Sequence, residues 1–291
     1  MRDLGVIDIG GTSVKLATWS GGALVDRHAV PTPRTLPEFY ETLEAEVALM
    51  GAAHPIAGVA VSAPGAPNRR TGVIESASAV PYIHGFDMVS ELSRRFGLPV
   101  SIENDANCAA LAELADGAGR DVSSLALLVL GTGVGGAMIV DGRVWHGAHL
   151  LGGEFGFDLM DGGSILSLVG TAVAAAARYN LRTGANVTGK DVFDLADAGD
   201  AIAAEEVHTM VASLARAIYN LQYGFDPERF LIGGGVSANP RLVPLIDAEL
   251  DRLMATVRVA SVRPVVGTCS YGPAANLRGA VADFEQTHPE G

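Results

Sequence analysis

Residues 6–24 read VIDIGGTSVKLATWSGGAL, and residues 128–144 read LVLGTGVGGAMIVDGRV. At an offset of 120, Gly11-Thr12-Ser13-Val14 falls on Gly131-Thr132-Gly133-Val134, Ala17 on Ala137, and Gly21-Gly22 on Asp141-Gly142. Each copy is an apolar run, a Gly/Thr-rich tight turn, a second apolar run and a two-residue Gly-Gly or Asp-Gly turn, the pattern of a β-hairpin. One such turn is an ordinary hairpin. Two matched copies about half a chain apart predict two related α/β halves facing each other, each offering backbone N–H groups and a hydroxyl to one anion. Glycine permits the close backbone approach that a phosphate cradle needs. Neither copy fits the dinucleotide fingerprint G-x-G-x-x-G opening a helix, because each continues into a strand, and the P-loop signature is absent.

The length of 291 residues agrees with two domains at about 150 residues each. Hydrophobic residues at 48% and charged residues at 18% supply a large core and argue against disorder. The 36 glycines have no collagen-like period, so turns and ligand loops must absorb them. A net charge of −13, with no basic run, argues against a nucleic-acid partner. Cys108 and Cys269 cannot build a disulfide framework, and neither has a metal-ligand neighbour at close spacing. The start, MRDLGVIDIGG, enters a strand with no signal-peptide pattern, and the apolar stretches fall short of the roughly 20 residues that span a bilayer. The expectation is a cytoplasmic protein with no membrane partner.

Spacing predicts helices over 36–49, 88–96, 106–114, 166–181, 200–223, 240–256 and 271–285. Strands are expected at 56–62, 100–103 and 258–266, and within 229–235 a buried strand runs into the triple glycine 233–235; Ala172 to Ala177 reads as a small-residue packing surface. Lys190 and its neighbours read as a solvated face.

Asp8 ends the first strand just before the glycine turn. A carboxylate beside a phosphate cradle can hold Mg²⁺ through water, and it can equally cap the turn. Thr12, Ser13 and Thr132 can donate hydroxyls to phosphate oxygens, and Lys15, one of two lysines, can reach a phosphate or snorkel. Asp105 lies in Asn104-Asp105-Ala106-Asn107, where a strand gives way to a helix. A helix cap explains one of these residues. Two adjacent capping-type residues plus Asn107 exceed that need, and the Asp105 carboxylate can accept the proton of a hydroxyl attacking phosphorus, with Asn104 orienting the same substrate. Glu154, inside a glycine-rich loop at 147–163, suits a polyol's hydroxyl pair or is a solvated loop acid. His84, His146 and His149 have no partner at metal spacing and read as surface or structural histidines.

The segments DIGGTSVK, IENDANCAALAE, LGTGVGG, GGEFG and FLIGGG, in this order from about residue 4 to 285, resemble the sugar kinases of the ROK family (repressors, open reading frames, kinases), within the actin-like, hexokinase-like ATPase superfamily. The resemblance implies an α/β fold of two ribonuclease-H-like lobes with a central cleft for ATP and sugar. It implies a small lobe of residues 1–105 plus about 272–291 on the sugar and phosphate side, and a large lobe of 106–271 for nucleotide and dimerisation. Matched motif by motif, Asp8, Gly10, Gly11, Thr12, Ser13 and Lys15 look like the first phosphate site, with Mg²⁺ at Asp8 through water. Gly131, Thr132, Gly133 and Gly135 look like the second, and Gly233, Gly234 and Gly235 like the wall beside the adenosine. Asp105 looks like the catalytic base, with Gly65, Asn104 and Glu154 as sugar ligands.

Two departures matter. Where the family commonly has a sugar-contacting, zinc-binding His, this chain has Phe157, and residues 155–171 contain no Cys or His. The resemblance then implies no structural zinc and a sugar pocket bounded by an apolar wall, as in members similar to β-glucoside kinases and glucokinases. Family repressors carry an N-terminal helix-turn-helix, for which a first strand at residue 4 leaves no room. The expected activity is ATP-dependent, magnesium-assisted phosphorylation of a sugar hydroxyl, the 6-hydroxyl of a hexose such as glucose or of a β-glucoside, in a cytoplasmic homodimer. The alternatives are an N-acetylmannosamine kinase and a non-catalytic sugar sensor on the same fold.

Overall fold

The structure, a computed structural model, describes residues 2–289. The chain divides into two compact units, Met1–Ala115 with Gly147–Leu151 and Pro273–Gly291, and Asp116–His146 with Gly152–Gly272.

The first unit opens with β1 (Leu4–Ile9), β2 (Ser13–Ser20) and β3 (Ala23–Pro31), an antiparallel meander. Gly21 and Gly22 turn β2 into β3 with φ of +57° and +83°, the paired positive values of a type I′ hairpin. Helix α1 (Leu36–Ala53) starts at a capping box, in which Thr35 and Glu38 each serve the other's backbone N–H, with Pro37 in its first turn. Its apolar residues at 39, 40, 43, 47 and 50 follow a helical period, so one face is buried in the core with Leu92 and Ile102. Each such fully buried large side chain stabilises the fold by about 1.5–3 kcal/mol. Strand β4 (Val59–Ala63) then pairs parallel to β1, followed by the short strands β5 (Ala66–Pro67) and β6 (Ile74–Glu75). Helix α2 (Met88–Phe96) runs from an Asp87 cap to Gly97 at φ +66°. Strand β7 (Val100–Asn104) pairs parallel to β4 and leads without a break into α3 (Asp105–Asp116). The sheet order is β3-β2-β1-β4-β7.

The second unit repeats this plan. Strands β8 (Leu125–Leu130), β9 (Val134–Val140) and β10 (Arg143–Val144) form the meander, and Asp141-Gly142 again turns at φ +50° and +75°. Strands β11 (Arg229–Gly233) and β12 (Val266–Thr268) add in parallel, giving β10-β9-β8-β11-β12, the same order. Helices α4 (Leu166–Val169), α5 (Ala172–Thr183), α6 (Gly189–Asp197), α7 (Ala201–Phe225) and α8 (Leu242–Thr256) surround a core built on Leu128, Leu214, Ile218 and Phe230. Helix α9 (Ala275–Thr287) belongs to the first unit and packs on β1, β4 and β7.

The register corrects the offset read from the repeat. Four residues, 10–13, lie between the last ladder partners Ile9 and Val14, but three, 131–133, between Leu130 and Val134. The outgoing strands match at 120 and the incoming ones at 121. Asp8 therefore corresponds to Val129, not Leu128. Helix α3 belongs as far as Ala115 to the first unit, so the chain leaves that unit ten residues beyond the boundary expected at 105. The helix expected over 166–181 is broken at Gly170-Thr171, where Thr171 caps a new helix. The strand expected over 258–266 is displaced to Val266–Thr268; the side chains of Val259, Val262 and Val265 before it are exposed rather than packed on the sheet.

Candidate active site

In the first unit, Asp8 stands next to the end of β1 and is 3% exposed. The ladder places Lys15 beside it on β2 and Ser62 on β4. Lys15 Nζ donates to Asp8 Oδ2 at 2.9 Å, while Ser62 Oγ (2.9 Å) and Asn276 Nδ2 (3.1 Å) donate to Oδ1. Lys15 keeps its side chain 42% exposed, so it pairs with Asp8 at the margin of solvent. The adjoining turn is closed by the Gly10 N–H donating to Ser13 O at 3.1 Å, and the Thr32 hydroxyl donates to Gly10 O at 2.6 Å. Gly11 and Thr12 form its exposed tip. One buried carboxylate beside an exposed glycine turn could hold a magnesium ion through water. Among the described residues no group of three or more His, Cys, Asp or Glu could hold a metal by itself.

Asp105 is the first residue of α3, and Asn104 before it does the capping. Asn104 Oδ1 accepts the N–H groups of Ala106 (2.9 Å) and Asn107 (3.1 Å), and its Nδ2 donates to Gly65 O at 2.9 Å. Asp105 Oδ1 shares the Ala106 N–H at 2.8 Å, while the Asn107 N–H goes to Asn104, so the cap is assigned to Asn104. Burial raises the Asp105 carboxyl above the usual carboxylate range; the Ala106 N–H opposes this in part and the charge of Asp8 adds to it. A carboxylate with raised proton affinity suits a general base. Gly65 has φ +98°, and a Cβ there would meet His84 Cε1 at 2.8 Å and Ile74 Cγ2 at 2.9 Å. Only glycine fits, and its carbonyl is what fixes Asn104. His84 is structural, with Ser78 Oγ 2.7 Å from Nε2 and Ile74 O 3.2 Å from Nδ1.

The second unit's turn is closed by the Gly131 N–H donating to Gly133 O at 2.9 Å, leaving Gly131 and Thr132 exposed. Where the first sheet sets Lys15, Asp8 and Ser62 in a row, the second sets Gly135, Val129 and Gly233. A Cβ on Gly135 would have no heavy atom within 4 Å. Of the triple glycine, Gly233 ends β11, Gly234 (φ +87°) makes the turn, and Gly235 lines a cavity of about 580 Å³. Ala172, Val173, Phe193 and Val236 give this cavity apolar walls; Thr188, Lys190, Asp197 and Asn239 add polar atoms. Its size suits a nucleoside. Sequence reasoning missed α6, which supplies half of these polar groups. The signal was present as Thr188 and Asp191, a capping box three residues apart, in which each side chain meets the other's backbone N–H. Also missed were Ser62, Asn276, Glu103 and Arg69, since only register and packing bring them to the site.

Glu154 is exposed and precedes a 3₁₀ turn over Phe155–Phe157, in which Phe155 is buried and Phe157 is 68% exposed. Phe157 therefore stands outside the core, free to face a ligand.

Two sheets of one strand order, each with a glycine turn between its first two strands, define an actin-like ATPase fold. The chain belongs to the ROK family, whose model matches residues 4–287. It is 34% identical over 299 residues, 98% of this chain and 97% of the other, to a protein of Klebsiella pneumoniae named beta-glucoside kinase. A beta-glucoside kinase of Listeria innocua is 31% identical over 296 residues, 97% of each. The crystal structure of a ROK family protein from Streptococcus pneumoniae in complex with sucrose is 35% identical, with a TM-score of 0.89 over 98% of both chains.

Proposed function

We propose that this ROK-family sugar kinase transfers the terminal phosphoryl group of ATP to the 6-hydroxyl of a glucose unit, carried as a β-glucoside or as free glucose. The observation that carries the reading is Asp105, a carboxylate of raised proton affinity fixed at a strand–helix junction whose capping is done by its neighbour. Asp105 accepts the hydroxyl proton as the oxygen attacks phosphorus, the new O–P bond forms, and the bond to ADP breaks. Asn104 and the backbone at Gly65 border the hydroxyl, and Glu154 accepts from further sugar hydroxyls. Gly10, Gly11, Thr12, Ser13 and Lys15 with the first turn, and Gly131, Thr132, Gly133 and Gly135 with the second, hold the phosphates. The adenosine takes the cavity walled by Gly235, with Gly233 and Gly234 shaping its edge. Magnesium held through water beside Asp8 offsets charge on the phosphates. The first unit accordingly carries the base and one phosphate turn, and the second the adenosine cavity, the other phosphate turn and Glu154.

The relatives named beta-glucoside kinase and the exposed Phe157 favour a β-glucoside, because an aromatic face stacks on a sugar ring or its aglycone. Zinc has no part in the reading. A cytoplasmic homodimer completes it; no helix of the described residues is long and apolar enough to cross a membrane. A coupled ADP-release assay with Mg-ATP across hexoses, N-acetylhexosamines and β-glucosides tests it beside Asp105→Asn. Turnover on glucose or β-glucosides, lost in the variant, is the expected result. Sugar binding without ADP release on any compound would identify a sensor instead.

A further inference from the structure

Helix α9 presents three residues, Asn276, Gly279 and Asp283, at spacings of three and four, so they share one face. Each meets a different part of the apparatus in the first unit. Asn276 donates to Asp8 Oδ1 at 3.1 Å. A Cβ on Gly279 would overlap the backbone carbonyl of Cys108, so α9 lies against the first turn of α3 with no room for a side chain. Asp283, 1% exposed, pairs with the Arg69 guanidinium.

Arg69 in turn holds Glu103, which is fully buried, through its Nε (3.2 Å) and Nη2 (2.9 Å) on Oε2. The other carboxylate oxygen of Glu103 accepts the backbone N–H of Asn104 at 2.7 Å and Asn107 Nδ2 at 2.9 Å. Asp283, Arg69 and Glu103 therefore form one charged chain that ends on the Asn104 N–H, in the second peptide ahead of Asp105. Carboxylates buried as deeply as Glu103 and Asp283 are costly unless paired, so both are tied to the partly exposed Arg69 between them. Arg69 follows β5, two residues after Pro67 and four after Gly65, whose carbonyl fixes the Asn104 amide. The Asn104–Asp105 turn is thus clamped from its backbone by Glu103 on β7 and from its side chain by Gly65; Arg69 bonds the first of these clamps and lies four residues beyond the second.

We propose that Glu103, Arg69 and Asp283 are positioning residues for phosphoryl transfer, and that the Asn276–Gly279–Asp283 face of α9 is the strut that holds the Asp8 strand and the Asp105 turn in one fixed arrangement. None of the three charged residues needs to touch substrate. Glu103 sets the second peptide plane ahead of Asp105, Arg69 carries that constraint to α9, and Asp283 closes it on a helix that also grips Asp8. Misplacing a catalytic group by about 1 Å can cost about 100-fold in rate.

The proposal rests on the reading of Asp105 as the base. The test measures kcat and KM for Mg-ATP and the best sugar in Glu103→Gln, Asp283→Asn, the double variant and Asp105→Asn, with thermal unfolding of each. Leu92→Ala, a fully buried α2 residue away from this chain of contacts, serves as the control for stability loss alone. The expected result is a fall of about 10- to 100-fold in kcat for each single variant with both KM values within about threefold. The double variant should be no slower than the slower single, because the pair acts through one path. Leu92→Ala, though lowered in Tm, should keep its kcat. Glu103→Gln and Asp283→Asn variants that lose no more kcat than Leu92→Ala would overturn the strut, and so would multiplicative losses in the double. Wild-type turnover that survives Asp105→Asn would overturn the reading of the base instead, so the two failures are separable.

Discussion

The two sheets share strand order, hairpin type and a glycine turn, yet the row of residues beneath the turn differs completely. In the first unit that row is Lys15, Asp8 and Ser62; in the second it is Gly135, Val129 and Gly233. The first row is filled with charge and hydrogen bonds, and Asp8 is satisfied on both oxygens. The second row is nearly empty of side chains, with one half-buried valine between two glycines. A duplicated scaffold has thus been specialised in opposite directions. One copy packs an ion pair and hydrogen bonds beneath its turn, and the other leaves open space there. The one-residue difference in turn length belongs to the same divergence, since Gly10 closes the longer turn and Gly131 the shorter.

The largest expected effect breaks the chemistry of the first unit. Asp105→Asn should lower kcat about 1,000-fold with sugar and ATP binding retained, measured by ADP release and calorimetry. Asp8→Asn keeps the shape of the polar row but removes its charge. Its kcat should fall about 100-fold, with magnesium titration showing a raised requirement for the metal. Gly135→Val fills the row of the second unit at a position with open space, so folding should be normal. Its KM for ATP should rise about tenfold while KM for sugar stays within about twofold. An equal rise in both would contradict the assignment of that row to the nucleotide.

The smallest effect is on stability and pH. The fold raises the Asp105 carboxyl above its unfolded value, burial being the chief cause. A raised carboxyl binds its proton more tightly when folded, so its contribution to stability is fully present below the unfolded value and is lost as pH rises through the folded one. Asp105→Asn, permanently neutral, should therefore melt at a higher temperature than wild type at pH 7. The gain should vanish in acid, where wild type is protonated too. The same proton affinity predicts an acid limb in kcat/KM above the ordinary range of an aspartate, about 3.9. A limb at or below that value would show that Asp105 is not the titrating base.

Much of the fold was legible because it is written in local patterns. Met88–Phe96 was read to the residue, with its stop at Gly97-Leu98-Pro99, and both hairpin turns from their glycines. The elements misread were those whose burial depends on distant neighbours. Val259, Val262 and Val265 look like a strand but are exposed, while α6 looks like a solvated face but buries Val192 and Phe193. Asp8 and Asp105 could be singled out because each carboxylate sits beside a turn that does not fully explain it. Ser62, Arg69, Asn276 and Asp283 could not, because nothing in their own neighbourhoods marks them.

By itself the sequence determined the duplicated hairpin, the two α/β halves, the family and the carboxylates around which a kinase site can be built. These follow from apolar period, turn chemistry and short motifs, all of which act over a few residues. Only the tertiary structure decided that Asp8 corresponds to Val129, that Asn104 rather than Asp105 caps α3, and that a helix beginning 170 residues after Asp105 bonds to Asp8. Register and helix packing are set by the summed burial of whole faces, so which polar groups meet at the end of a strand is a property of the assembled sheet and not of any one segment.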